Sequence, residues 1–157
     1  MDKRQAEYWI NKLNLKEHSE GGYFREIYRK KADINGRDLA TSIYYLLPSG
    51  MASKLHILRN DEVWYYHLGA PIKIYFLSRE KGIKEHILGP DPEKGHVFSK
   101  VIPAETIFGA EVTEHNTFSL VSCNMSPGFE YEDFELLTRE KLFNLFPEHK
   151  ALIEKLT

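Results

Sequence analysis

His56 and Glu62 stand six residues apart between Gly50 and Gly69, inside two runs with the texture of β-strands. Same-face positions along a strand differ by an even number, so one short turn can aim both side chains into one cavity. An imidazole and a carboxyl converging there are equipped for two kinds of chemistry. They can share and transfer a proton, or they can ligate a divalent metal. Metal sites built on histidine and carboxylate take three or four protein ligands. The same residues could also form a hydrogen-bonded buried pair in a metal-free cavity, because a buried charge requires a partner.

Two further segments carry polar side chains among aromatics. In the segment from Glu20 to Glu26, Gly21 and Gly22 precede Tyr23, Phe24, Arg25 and Glu26. Tyr23 and Arg25 fall on one strand face, and Phe24 and Glu26 on the other. An arginine beside aromatics can clamp a carboxylate or phosphate. The segment from Ser126 to Glu135 is acidic and aromatic. It lacks the spacing of a calcium loop and is read as a structural loop laying Phe129, Tyr131 and Phe134 against a barrel mouth. The other histidines are scattered, and His67 has the opposite strand parity to Glu62. Cys123, the sole cysteine, lies in an apolar run and reads as a small buried side chain.

The elements that must position these residues are short and numerous. Residues Gln5 to Leu15 space Tyr8, Trp9, Ile10, Leu13 and Leu15 as one face of a short helix. Strand-like runs follow at Tyr23–Arg29, Leu39–Leu47, Ser53–Leu58, Glu62–Leu68, Ile72–Leu77, Ile83–Leu88, Val97–Ile102, Thr106–Ala110 and Thr117–Asn124. Glycine- and proline-bearing turns divide them, with Asn35-Gly36 as the strongest hairpin signal. Such spacing predicts an antiparallel sandwich or barrel. Thr138 can cap a helix from Arg139 to Phe146, and Pro147 can open a second helical segment through Leu156. The expectation is one domain over residues 1–157, with a barrel at about 23–136 and a helical tail at 138–156.

Composition narrows the function classes. A formal charge of −2 with no basic block argues against a nucleic-acid or anionic-membrane surface. No run approaches the length of a membrane span, and the N-terminal residues are polar. With one cysteine and no internal disulfide, the expected location is cytoplasmic.

Three segments taken together resemble one family, the Cupin_5-type domain of unknown function in the cupin superfamily. They are Glu20–Glu26, the stretch from Ser53 through His56 and Glu62 to Trp64, and Ser126–Glu135. The run from Gly50 through His56, Leu58 and Glu62 to Gly69 also has the spacing of the first cupin motif, with Leu58 where a second histidine would stand. In the region of the second motif, Glu105 holds the glycine position and Phe108 that of the third histidine. Two of four expected ligands survive. The sequence also departs from its relatives at Phe108, where glutamine after tryptophan is usual, and at Tyr65, where histidine is common.

The resemblance implies an all-β jelly roll, a double-stranded β-helix, assembled as a homodimer around a small-molecule pocket. That pocket would be lined by Phe24, Arg25, Tyr44, His56, Glu62 and Trp64. The expected function is binding of a small polar metabolite, sugar or nucleotide-like. The alternative is a hydrolase or isomerase of such a compound, using His56 and Glu62 as catalytic groups and Arg25 as anion clamp. No cofactor is required by the first reading. In the second, His56 and Glu62 could hold a divalent metal.

Overall fold

The computed structural model describes residues 3–31 and 36–157. The proposed Asn35-Gly36 turn falls partly outside the described residues. Helix α1 (Lys3–Lys12) precedes eleven strands. These are β1 (Lys16–Glu17), β2 (Tyr23–Lys30), β3 (Ala40–Pro48), β4 (Ala52–Leu58), β5 (Glu62–Gly69) and β6 (Ile72–Ser78), followed by β7 (Gly82–Leu88), β8 (Ser99–Ile102), β9 (Ile107–Val112), β10 (Phe118–Met125) and β11 (Phe134–Leu136). Helices α2 (Arg139–Leu145) and α3 (Lys150–Lys155) close the chain.

The strands form two antiparallel sheets, ordered β1-β2-β3-β10-β5-β8 and β11-β4-β9-β6-β7. The all-β jelly-roll architecture expected from the sequence is the one observed. Strand spans agree to within two residues, apart from β1 and β11, which are too short to show periodicity. Among the described residues, no helix is long and apolar enough to cross a membrane.

Alternation assigns the inner face strand by strand. Tyr45 and Leu47 of β3, Trp64 of β5, Ile72 and Ile74 of β6, Phe108 and Ala110 of β9, and Val121 and Cys123 of β10 meet in the core between the sheets. Part of each outer face is covered as well. Helix α1 and the turn after it lay Ala6, Trp9, Ile10 and Leu15 over Leu46, Phe118 and Leu120. The C-terminal helices pack Leu142, Phe146, Ile153 and Leu156 against Leu55, Tyr75 and Leu77. Each large side chain buried there contributes roughly 1.5–3 kcal/mol.

That tail fixes the strand that carries His56. The Leu55 N–H donates to Leu156 O at 2.9 Å, and the Leu137 N–H donates to Leu55 O at 3.0 Å. Buried Glu111 accepts from the Tyr75 hydroxyl at 2.6 Å and pairs with Lys155 Nζ at 2.5 Å, tying α3 to the sheet. Thr138 caps α2 as its type and position predict, its hydroxyl accepting from the Lys141 N–H at 3.3 Å.

Candidate functional site: a carboxyl-histidine cavity between the sheets

Two bulges decide which polar side chains enter the space between the sheets. Opposite β9, Ser53 pairs with Ala110 and His56 with Phe108, so β4 spends three residues where β9 spends two. The extra residue puts Ser53 and His56 on the same inner face despite their odd separation. Gly109 makes this possible, because a Cβ there would lie 2.8 Å from Ser53 O. A second irregularity lies between Glu26 and Tyr28 of β2, against Ile43 and Ser42 of β3. Beyond it Arg29 pairs with inward-facing Thr41, so Arg29 turns toward the cavity.

Glu20 arrives from a turn rather than a strand. The His18 N–H donates to Gly22 O and the Gly21 N–H donates to His18 O, both at 3.0 Å. Lys54 N–H donates to Glu20 O at 2.8 Å, docking the turn on β4. Gly21 has φ +106°, and a Cβ there would meet Ala52 O at 2.1 Å, so only glycine allows this approach.

These elements enclose a cavity of about 170 Å³. At its polar end Glu20 is 7% exposed and His56 1%. Glu20 Oε1 accepts from the Ser53 hydroxyl at 3.0 Å, and Oε2 lies 3.3 Å from His56 Nε2. His56 Nδ1 lies 2.6 Å from Lys54 O. A carbonyl only accepts, so Nδ1 carries hydrogen. Nε2 then faces the Glu20 carboxyl, and this contact marks the polar end of the cavity.

Glu62 occupies another part of the same wall, its Oε2 accepting from Trp64 Nε1–H at 2.7 Å. Burial, with the neighbouring charge of Glu20, pushes the Glu62 carboxyl up to about 8 against the opposing effect of the Trp64 hydrogen bond. Glu62 is thus largely a neutral acid near pH 7. His18 packs edge-on to Phe24 with ring centroids 4.6 Å apart, and its Nδ1 accepts from the Glu20 N–H at 3.2 Å. Burial lowers its basicity, outweighing the charge of Glu20. The thiol of Cys123 is raised well above its ordinary value by burial and by Glu62, which fits an inert wall residue.

The sequence candidates divide by strand face. Phe24, His56 and Glu62 line the cavity. Trp64 is buried behind Glu62 and acts through it. Arg25 and Tyr44 are register partners on the outer face of the sheet, opposite the inward pair Phe24 and Tyr45. Arg25 donates to Leu13 O at 3.1 Å, outside the cavity. Adjacent residues of a regular strand cannot both face inward, so Phe24 and Tyr45 exclude Arg25 and Tyr44 from the wall. Glu20, His18, Ser53 and Arg29 complete the site. Phe129, Tyr131 and Phe134 lie along its mouth as the loop reading expects.

The residues present do not fit a divalent metal. Among the described residues, no group of three or more His, Cys, Asp or Glu converges to hold one. Both ring nitrogens of His56 are engaged, and Phe108 and Phe134 pack on its ring with centroids 4.1 and 5.2 Å away. Phe108, at the third-histidine position, fills with carbon the space a ligand set would need.

Comparison with known proteins places the chain. Residues 7–137 match the model of the Cupin_5 family, described as Cupin superfamily (DUF985). The uncharacterized protein YML079W of Saccharomyces cerevisiae is 30% identical over 164 residues, covering 90% of this chain and 80% of that one. The crystal structure of protein SO0799 from Shewanella oneidensis superposes with a TM-score of 0.92 at 40% identity, covering 97% and 96% of the two chains. A hypothetical protein from Leishmania major gives 0.87 at 34% identity, covering 97% and 98%. A variant of Bacillus subtilis oxalate decarboxylase shares the fold alone, with a TM-score of 0.60 at 15% identity over 90% of this chain and 37% of that one.

Proposed function

The chain belongs to the Cupin_5 family of the cupin superfamily, and from that premise we propose that it binds a small polar metabolite in the cavity between its sheets. The observation that carries this reading is the buried contact of His56 with Glu20 at the end of a cavity whose walls include Phe24, Ile43, Leu58, Met125 and Phe134. A few convergent polar groups among apolar walls are the usual form of a ligand site. The volume of about 170 Å³ is close to that of an engineered cavity that takes up benzene. It admits a body the size of a monosaccharide. A nucleotide derivative would leave its phosphates outside the mouth.

A thermal-shift screen of sugars, nucleotides, organic acids and amines tests the proposal. A ligand at a hundred times its Kd stabilises by about 2.7 kcal/mol, or several degrees in Tm for a chain of this size. Ile43→Trp, which fills the cavity, should abolish the shift. A shift that survives this variant would place the ligand elsewhere, and a screen without any shift would count against the pocket.

The alternative, an isomerase or hydrolase, is favoured by one feature. A buried histidine beside a carboxyl and a second carboxyl held neutral near pH 7 border the same small space, as a base and an acid for one substrate would. His56 with Glu20 would remove a proton and Glu62 would return one, with no step through a metal. Arg25 is too remote to clamp an anion in the cavity.

We also propose a homodimer across the edge of the six-stranded sheet. Tyr65 of β5 and Val101 of edge strand β8 face outward and are exposed, and Phe98 is exposed just before β8. Clustered apolar side chains on an unpaired edge favour association with a second sheet. Light scattering should report a dimer that Val101→Lys converts to monomer. A monomeric parent protein would remove the proposal.

A further inference from the structure

We propose that the compound bound in this cavity carries a protonated amine, seated by the Glu20 and Glu62 carboxyls against the Phe24, Phe129 and Phe134 rings. The inference rests on the reading of the cavity as the ligand site, and adds the chemistry of its occupant.

The hydrogen-bond inventory of the wall is one-sided. Arg29 is the arginine that reaches the cavity, and its five N–H donors are matched by five protein contacts. Its Nε donates to Glu26 Oε1 at 2.9 Å, and Nη1 donates to Asp38 Oδ2 at 2.7 Å and Glu130 Oε1 at 2.9 Å. Nη2 donates to Glu26 Oε2 at 2.8 Å and Phe129 O at 3.2 Å. A guanidinium so engaged has no donor left for a ligand anion. The other donors are similarly spent. Trp64 N–H goes to Glu62, the Ser53 hydroxyl to Glu20, the Tyr45 hydroxyl to Gly21 O, and His56 Nδ1–H to Lys54 O. His18 Nε2–H and the hydroxyls of Thr41 and Tyr131 remain.

Acceptors are in surplus. Glu62 is over nine-tenths buried and lines the cavity. Its Oε1 has no protein partner among the described residues, while Oε2 is taken by Trp64. In the neutral acid Oε1 holds the proton, and a cationic ligand that displaces this proton leaves Oε1 as an acceptor. Glu20 keeps lone pairs beyond those used by Ser53 and His56. The bound group must therefore be rich in donors.

Hydroxyls and ammonium groups both meet that demand, and charge separates them. Four carboxyl side chains border the cavity, Glu20, Glu26, Glu62 and Glu130, against one arginine already shared among acids. An anion would meet the Glu26 and Glu130 carboxylates on the wall and the Glu20 carboxyl at the polar end. The elevation of Glu62 by burial and by Glu20 reflects the same shortage of positive charge. An ammonium group supplies that charge and would hold Glu62 ionised. The aromatic rings along the wall add attraction for a cation at their faces.

Three probes of one shape test the assignment by calorimetry on the full chain near neutral pH. Benzylamine, benzyl alcohol and benzoate differ in the charge and donor count of one substituent. The amine should bind about tenfold or more tightly than the alcohol, as charge-assisted hydrogen bonds imply, and benzoate should give no heat. Glu62→Gln should bring amine and alcohol toward parity by weakening the amine more than the alcohol. Alcohol or benzoate binding as tightly as the amine overturns the ammonium assignment and leaves the cavity as a ligand site. Absence of binding by all three at millimolar concentration overturns both.

Discussion

Glu62→Gln is expected to make the protein markedly more stable than its parent in mild alkali, with little difference between them near pH 5. The sign follows from the direction of the shift. Burial and the charge of Glu20 raise the folded-state carboxyl to about 8, from 4.5 for an unperturbed glutamic acid. Between those values the folded state holds a proton that the unfolded chain has released. The contribution of Glu62 is fully present below the unfolded value and is lost as pH rises through the folded one. At 1.36 kcal/mol per unit, that loss is on the order of 3–5 kcal/mol. This is a large share of the 5–15 kcal/mol that separates folded from unfolded domains. Glutamine keeps a carbonyl oxygen for Trp64 Nε1–H and cannot ionise, so its curve should lack this slope. Urea midpoints at several pH values between about 5 and 9 measure the difference, because every other titrating group is common to both proteins. Parallel curves would mean that Glu62 ionises at its ordinary value and that the cavity is wetter than its apolar walls imply.

The contrast between Glu62 and Glu20 shows what the sequence disclosed and what it hid. His56 and Glu62 were legible because both sit on strands joined by a short turn, where parity and spacing apply. The strands themselves were legible because Gly, Pro and Asn-Asp turns interrupt β-branched and aromatic runs. Glu20 lies 36 positions from His56 in a turn governed by Gly21, where no periodicity operates. Arg29 and Ser53 face inward through bulges, and one inserted residue reverses the parity of everything beyond it. Tyr44 and Tyr45 could not be separated by alternation, because both faces of β3 are covered, one by the opposite sheet and one by α1. Helices that cover outer faces erase the polar half of the strand pattern. Arg29, which the sequence did not single out, reaches the cavity because the bulge between Glu26 and Tyr28 turns it inward.

Glu20→Ala is expected to cost about 3 kcal/mol, and Glu20→Gln far less. The carboxyl is buried with two partners, Ser53 Oγ at 3.0 Å and His56 Nε2 at 3.3 Å. Alanine leaves both unsatisfied in a space too apolar to solvate them, at about 1–3 kcal/mol for each orphaned group. His56 cannot turn away to recover, since Nδ1–H is anchored on Lys54 O and its ring is held between Phe108 and Phe134. The amide of the conservative variant can restore both contacts, with its oxygen accepting from Ser53 and its N–H2 donating to the bare Nε2 of a neutral His56. What it cannot restore is a carboxyl able to take up or release a proton. The Gln variant should therefore fold and keep the cavity, yet lose any proton transfer to a bound compound. Chemical unfolding reads the first difference. Solvent-deuterium exchange into carbon-bound positions of a bound ligand, followed by NMR, reads the second. Equal destabilisation by both substitutions would mean that charge, rather than hydrogen-bond satisfaction, holds this corner of the barrel. Exchange that persists in the Gln variant would remove the Glu20 carboxyl from the chemistry.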